Sequence, residues 1–174
     1  MNLFARSERC RRFALLRSGR PGSEVAPRAT TIRIGTDIVE VAQIAKSIAS
    51  FGDRYLSRVF TERELAYCMS GRSDPAPHLA ARFAAKEATR KALKDGDEAV
   101  SWRSLEVARH PDGSCDMLLH GAASALAKRR GVWALSVTLS HDGAYATAVV
   151  AGQAWAAPGP ARLARTTPRG AYER

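Results

Sequence analysis

His78-Leu79-Ala80-Ala81-Arg82-Phe83-Ala84-Ala85-Lys86-Glu87-Ala88-Thr89-Arg90-Lys91-Ala92-Leu93 is the longest helical pattern in the chain, and the other elements are placed from it. It is rich in Ala, Leu, Lys, Arg and Glu, whose side chains lose little freedom in a helix. Before it lies the loop Ser73-Asp74-Pro75-Ala76-Pro77, with Pro77 suited to the first helical position. Gly96 terminates it.

Toward the N-terminus, Thr31-Ile32-Arg33-Ile34-Gly35 alternates apolar residues as a short strand does. Ile38, Val41, Ile44, Ala45 and Ile48 then repeat at helical spacing, and Gly52-Asp53 stops that helix. Tyr55 to Phe60 reads as a further helical turn. Thr61-Glu62-Arg63-Glu64 is a capping box opening a helix through Cys68 that ends near Gly71. Toward the C-terminus, strands are expected at Ser104–Arg109 and Cys115–Leu119, with His110-Pro111-Asp112-Gly113 as the hairpin turn. A helix at Gly121–Arg130 precedes strands at Trp133–Ser140 and Ala144–Val150, joined by His141-Asp142-Gly143. This order predicts an α+β fold, a small antiparallel sheet packed against helices in a single domain.

The chain has 174 residues and a formal charge of +10, but the charge lies mainly at its ends. Residues 1–31 hold seven Arg and two Glu, and residues 153–174 hold four Arg and one Glu. The remaining 32–152 carry 16 basic and 14 acidic residues, so the body is nearly balanced. No stripe of Arg interleaved with stacking aromatics is present, which argues against a nucleic-acid-binding module. The run Phe13-Ala14-Leu15-Leu16 is too short for a signal core or a membrane span. Residues 1–31 read as a disordered basic arm, with an organellar targeting segment as the alternative, and 153–174 as a disordered basic tail. The domain is expected within 32–152. Cys10, Cys68 and Cys115 are scattered, supporting neither a disulfide framework nor a zinc site, and a reducing, cytoplasmic setting follows.

Two acids stand out. Asp37 follows Gly35 and Thr36 at a strand-to-helix handover, where an acid often serves as an N-cap. Glu87 sits mid-helix with Lys91 four residues on, the spacing of a surface ion pair. Against those readings, Ala84, Ala85, Ala88 and Ala92 leave little bulk beside Glu87, as a helix does where something approaches closely. Two carboxylates suit Mg²⁺ when water and phosphate oxygens fill its other positions, and Lys86, Arg90 and Lys91 are cations for such phosphates. Ser140-His141 ends an apolar strand without the elbow or acid a hydrolase triad needs.

The segments also resemble a family. Ile34-Gly35-Thr36-Asp37-Ile38-Val39-Glu40 is similar to the opening signature of the holo-[acyl-carrier-protein] synthases, within the 4′-phosphopantetheinyl transferases. Phe60 to Cys68, Arg82 to Ala88 with Lys91-Ala92-Leu93, His110 to Gly113, and Ser140-His141-Asp142 resemble its further blocks, in order and at matching spacing. The resemblance implies transfer of phosphopantetheine from coenzyme A to a serine of an apo acyl carrier protein in fatty acid biosynthesis. It implies Asp37 and Glu87 as Mg²⁺ ligands, Glu87 and Lys91 as catalytic residues, and Lys86 with Lys91 as contacts of coenzyme A. Ser140 and His141 would meet its nucleotide end, at the 3′-phosphate. Either Glu87 or a water on the metal would take the serine proton. It further implies a homotrimer with sites between subunits, an acidic carrier protein as partner, and no nucleic-acid or membrane partner. The chain departs from the family pattern at Gln43, where a basic residue commonly meets the carrier, and at Lys94-Asp95-Gly96-Asp97-Glu98, where Gly-Thr-Gly is common.

Overall fold

The computed structural model describes residues 29–70, 74–96 and 100–156. The expected basic arm and tail, apart from a few residues next to the body, lie outside the described residues. Strand β1 (Thr30–Glu40) leads into helix α1 (Val41–Val59), followed by α2 (Glu62–Met69) and α3 (Ala76–Leu93). A short 3-10 turn at Trp102–Ser104 precedes β2 (Leu105–Arg109) and β3 (Cys115–Leu119). Helix α4 (Gly121–Arg129) and strands β4 (Val132–Asp142) and β5 (Tyr145–Trp155) complete the order. The α+β class is as expected, with the strands divided between an antiparallel three-stranded sheet, β1-β5-β4, and the β2-β3 hairpin.

Helix α3 is the centre of the molecule. Pro77 stands in its first turn, and the Asp74 carboxylate accepts from the Ala76 N–H at 2.9 Å. Ala80, Ala81, Ala84, Ala85, Ala88 and Ala92 are all buried, some against the sheet face formed by Ala146, Ala148 and Val150. The reason for so much alanine is strand β1. A Cβ built on Gly35 would lie 1.9 Å from the Ala88 carbonyl oxygen and 2.8 Å from the Ala92 nitrogen. Glycine facing alanine lets the two backbones touch. The small side chains around Glu87 therefore serve packing of the strand, and the expectation that they admit a ligand is corrected.

β1 is longer than the pattern suggested. It runs through Glu40 and pairs with β5 from Thr30↔Trp155 to Glu40↔Tyr145. Asp37 is thus inside a strand rather than an N-cap; Glu40 precedes α1 and makes no side-chain cap bond. Alternation directs Gly35, Asp37 and Val39 toward α3, and Ile32, Ile34 and Ile38 outward with exposures of 71, 68 and 66%. As expected, the first helical run of α1 stops at Gly52, whose φ of 52° and ψ of −136° are not helical, and a second run follows across the kink to Val59.

The capping box is present: Thr61 Oγ1 accepts from the Glu64 N–H at 3.3 Å, and Glu64 Oε2 accepts from the Thr61 N–H at 2.8 Å. Glu64 has two further duties. Its Oε1 accepts from the Val107 N–H at 3.0 Å, and its Oε2 lies 2.8 Å from Lys86 Nζ, with both side chains fully buried. One carboxylate thereby joins α2, α3 and β2. At the β2-β3 turn, Asp112 Oδ1 accepts from the Ser114 N–H and hydroxyl at 2.9 and 2.7 Å, while Gly113 takes a φ of 93°. Those two bonds hold the Asp112 carboxyl below its usual range.

Candidate active site

The sheet and α3 bring Asp37, Glu87 and Lys91 together. Asp37 stands on the helix-facing side of β1, and Lys91 reaches back across from α3. Lys91 Nζ donates to Asp37 Oδ1 at 2.7 Å and to the Thr36 carbonyl at 2.9 Å. The Lys91 side chain remains half exposed while Asp37 is mostly covered, so the ammonium can meet a ligand from solvent. The sequence alternative of a Glu87–Lys91 surface pair gives way to this cross-element contact.

Glu87 is partly buried. That burial pushes its carboxyl above the usual range, the Asp37 and Asp95 charges push the same way, and Arg90 and Lys91 pull it down. Asp37 and Glu87 thus stand close enough for their charges to repel. Two carboxylates with an open side toward solvent fit Mg²⁺, which keeps waters and takes phosphate oxygens for its other positions. Among the described residues no cluster of three or more His, Cys, Asp or Glu forms a metal cage.

Of the three cations expected near phosphate, Lys91 is the one so placed. Lys86 requires a correction. Its ammonium is fully buried against Glu64 and donates to the carbonyls of Trp102, at 3.0 Å, and of Leu105. With three donors all used, Lys86 has nothing to offer coenzyme A. Burial lowers the affinity of this amine for its proton and Glu64 restores part of it. Arg90 is held by Asp95 through its Nε and lies over the Trp102 ring at 4.8 Å.

Ser140 and His141 lie elsewhere in the chain. Their row partners on β5 are Thr147 and Ala146, so Ser140 faces outward, with Thr147 between it and Ile38, while His141 faces the α3 side. The His141 ring meets His78 edge-on with centroids 4.8 Å apart. Glu87 is nine residues along α3 from His78, about 13 Å. One chain therefore holds two separate clusters of candidate residues. Glu64 is the residue sequence reasoning valued too little: the capping box explained it fully and hid its partnership with Lys86.

A family model described as the 4′-phosphopantetheinyl transferase superfamily matches residues 33–150. The chain belongs to this superfamily. It is 44% identical over 117 residues to the holo-[acyl-carrier-protein] synthase of Koribacter versatilis, covering 67% of this chain and 93% of the relative. The Moorella thermoacetica enzyme of that name is 45% identical over 118 residues, covering 68% and 91%. Among solved structures, a Chronobacterium ammoniagenes synthase in complex with coenzyme A superposes with a TM-score of 0.64 at 28% identity, over 73% of this chain and 99% of that one. The Helicobacter pylori holo-[acyl-carrier-protein] synthase in complex with coenzyme A gives 0.59 at 30% identity, over 67% and 96%. Within the superfamily, then, this chain falls among the holo-[acyl-carrier-protein] synthases, which move 4′-phosphopantetheine from coenzyme A to a serine of an apo carrier protein.

Proposed function

We propose that the transfer takes place at the Asp37–Glu87–Lys91 cluster, with Mg²⁺ held by the two carboxylates. The observation that carries this reading is the bridge from Lys91 to both Asp37 and the Thr36 carbonyl, which fixes a cation beside two repelling acids. Mg²⁺ bound there supplies charge neutralisation to the diphosphate of coenzyme A. Lys91 holds a phosphate oxygen and offsets charge that grows during transfer. The serine oxygen of the carrier forms a bond to the β-phosphorus while the bridging oxygen bond breaks, and adenosine 3′,5′-bisphosphate leaves. Glu87, whose carboxyl is already raised, accepts the serine proton.

Ser140 and His141 serve the nucleotide end, at the 3′-phosphate, from a neighbouring copy in a homotrimer. Their distance from Glu87 within one chain supports a shared site. So does the outer sheet face, where Ile32, Ile34, Ile38, Val149, Trp133 and Trp155 are exposed apolar groups on one side of three strands. The carrier is an acidic partner, and Lys46, Arg54 and Arg58 on α1 are the basic residues offered in place of Gln43. Among the described residues no helix is long and apolar enough to cross a membrane. A cytoplasmic role in fatty acid synthesis is the setting we assign.

The test incubates the full chain with Mg²⁺, coenzyme A and an apo acyl carrier protein, and reads the carrier by intact mass. A gain of one phosphopantetheine, abolished by EDTA and in Asp37→Ala and Glu87→Ala, is the expected result. No gain with several apo carriers would overturn it.

A further inference from the structure

A groove of about 470 Å³ runs between the open edge of β1 and the end of α3, and Lys91 is the one lining residue with a catalytic role above. It is lined by Thr31, Arg33 and Ile34 of the strand and by Lys91, Ala92 and Lys94 of the helix end. β1 pairs only with β5, so its other edge is open, and the Thr36 carbonyl on that edge already receives Lys91. The groove is therefore continuous with the active site through the Lys91 side chain.

Two features of the lining are unexplained by folding. Lys94 takes φ 54° and ψ 55°, the one left-handed non-glycine among the described residues. Glycine would adopt that conformation at less cost. Its ammonium is exposed and makes no hydrogen bond or ion pair to another described residue. Arg33, opposite, donates through Nη2 to the Arg130 carbonyl at 3.2 Å, while its Nη1 is buried without an acceptor. A cation at the end of α3 also offsets the helix dipole, but Arg90 and Lys91 already stand in that last turn.

We infer that this groove is an anion subsite, and that Lys94, backed by Arg33, holds a phosphate group of coenzyme A. The inference rests on the reading of the active site given above and deepens it. The groove is concave, has room for a small group and is walled by three cations, which suits one phosphate better than the broad acidic surface of a carrier. A lysine brings a compact charge on a flexible stem, able to follow a phosphate without a fixed fork geometry. The residue thus acts on affinity for the donor substrate, apart from the transfer step.

The test uses the full chain with Lys94→Gly and Lys94→Arg. Glycine suits the left-handed position, so Lys94→Gly keeps or raises Tm and a folding failure cannot imitate the result. Calorimetric titration with coenzyme A in Mg²⁺ is expected to show affinity about fivefold weaker in Lys94→Gly and restored to within about twofold in Lys94→Arg. KM for coenzyme A rises in parallel, while kcat and KM for the carrier stay within about twofold. Repeating the titration with dephospho-coenzyme A separates the sources: a defect that persists assigns the diphosphate, and one that disappears assigns the 3′-phosphate. Unchanged affinity for coenzyme A in Lys94→Gly, or a rise confined to the KM for the carrier, would overturn the inference. A wild-type chain that binds coenzyme A but modifies no carrier would sink the proposed function and leave this subsite standing. One that binds no coenzyme A would sink both.

Discussion

Gly35→Ala is the sharpest perturbation this architecture offers. The added methyl carbon would stand 1.9 Å from the Ala88 carbonyl oxygen, 2.8 Å from the Ala92 nitrogen and 2.9 Å from the Ala88 carbonyl carbon. All three are backbone atoms of α3, so no side-chain rotation relieves the contact. The strand and helix must part by more than an ångström, opening the alanine layer around Ala84, Ala85 and Ala88. Overpacking against rigid neighbours costs about 3 kcal/mol or more, which for a domain of this size lowers Tm by at least about 10 °C. The same separation carries Asp37 and the Thr36 carbonyl away from Lys91, so transfer activity falls even at temperatures where the variant stays folded. Gly152→Ala is the control. Its Cβ would meet the mobile end of Leu135 at 3.1 Å, and the cost is expected near 1 kcal/mol, since ~1 is typical where a side chain can give way. Thermal unfolding by circular dichroism and the intact-mass assay measure both. A Gly35→Ala chain melting within about 2 °C of wild type would refute the close-contact argument.

Lys86→Met leaves the Glu64 carboxylate buried without its cation and is expected to cost about 3–5 kcal/mol, whereas Glu64→Gln combined with Lys86→Met recovers much of it; urea unfolding checks both. If Lys86→Met keeps full stability and loses only affinity for coenzyme A, the buried-pair assignment is wrong. For Glu87, a raised carboxyl means the folded chain binds a proton more readily than the unfolded one above pH 4.5, so stability declines as pH rises through that window. Metal-free Glu87→Gln is therefore expected to melt higher than wild type at neutral pH, by on the order of 1–3 °C, and equally well near pH 4, while being inactive. Ile34→Lys with Ile38→Lys on the outer sheet face should yield a smaller particle by light scattering and an inactive enzyme, yet with the wild-type circular dichroism spectrum. An active variant of unchanged mass would remove that face from the assembly.

Much of this fold was legible because its signals are local. The box at Thr61 and Glu64 and the turn at Asp112 and Gly113 each lie within four or five residues. The full extent of the central strand was not: Ala151-Gly152-Gln153-Ala154 has little strand character, and pairing with β1 on one side and β4 on the other is what makes it one. Asp37 and Lys91 could be picked out as candidates, but their contact depends on Gly35 admitting α3, a relation between residues far apart in sequence. Lys86 was misjudged for a similar reason. Adjacent to Glu87 in sequence, it points about 100° away around the helix, toward an acid that already had a local explanation. Beside Lys94, the exposed charge was readable, while the left-handed backbone beneath it was not.

The pairing of the first strand with the last also sets the order of events at synthesis. Among the described residues Asp37 is one of the earliest to leave the ribosome, yet its neighbour across the ladder, Ala148, is one of the last. Until Tyr145–Trp155 arrives, β1 has no strand partner and α3 lacks the central strand of the sheet face it packs on. Contacts this distant in sequence close slowly, because the loop entropy is spent before any pairing rewards it. The nascent chain can build its central helix early, but the acid that would hold the metal falls into place as the final stroke of folding.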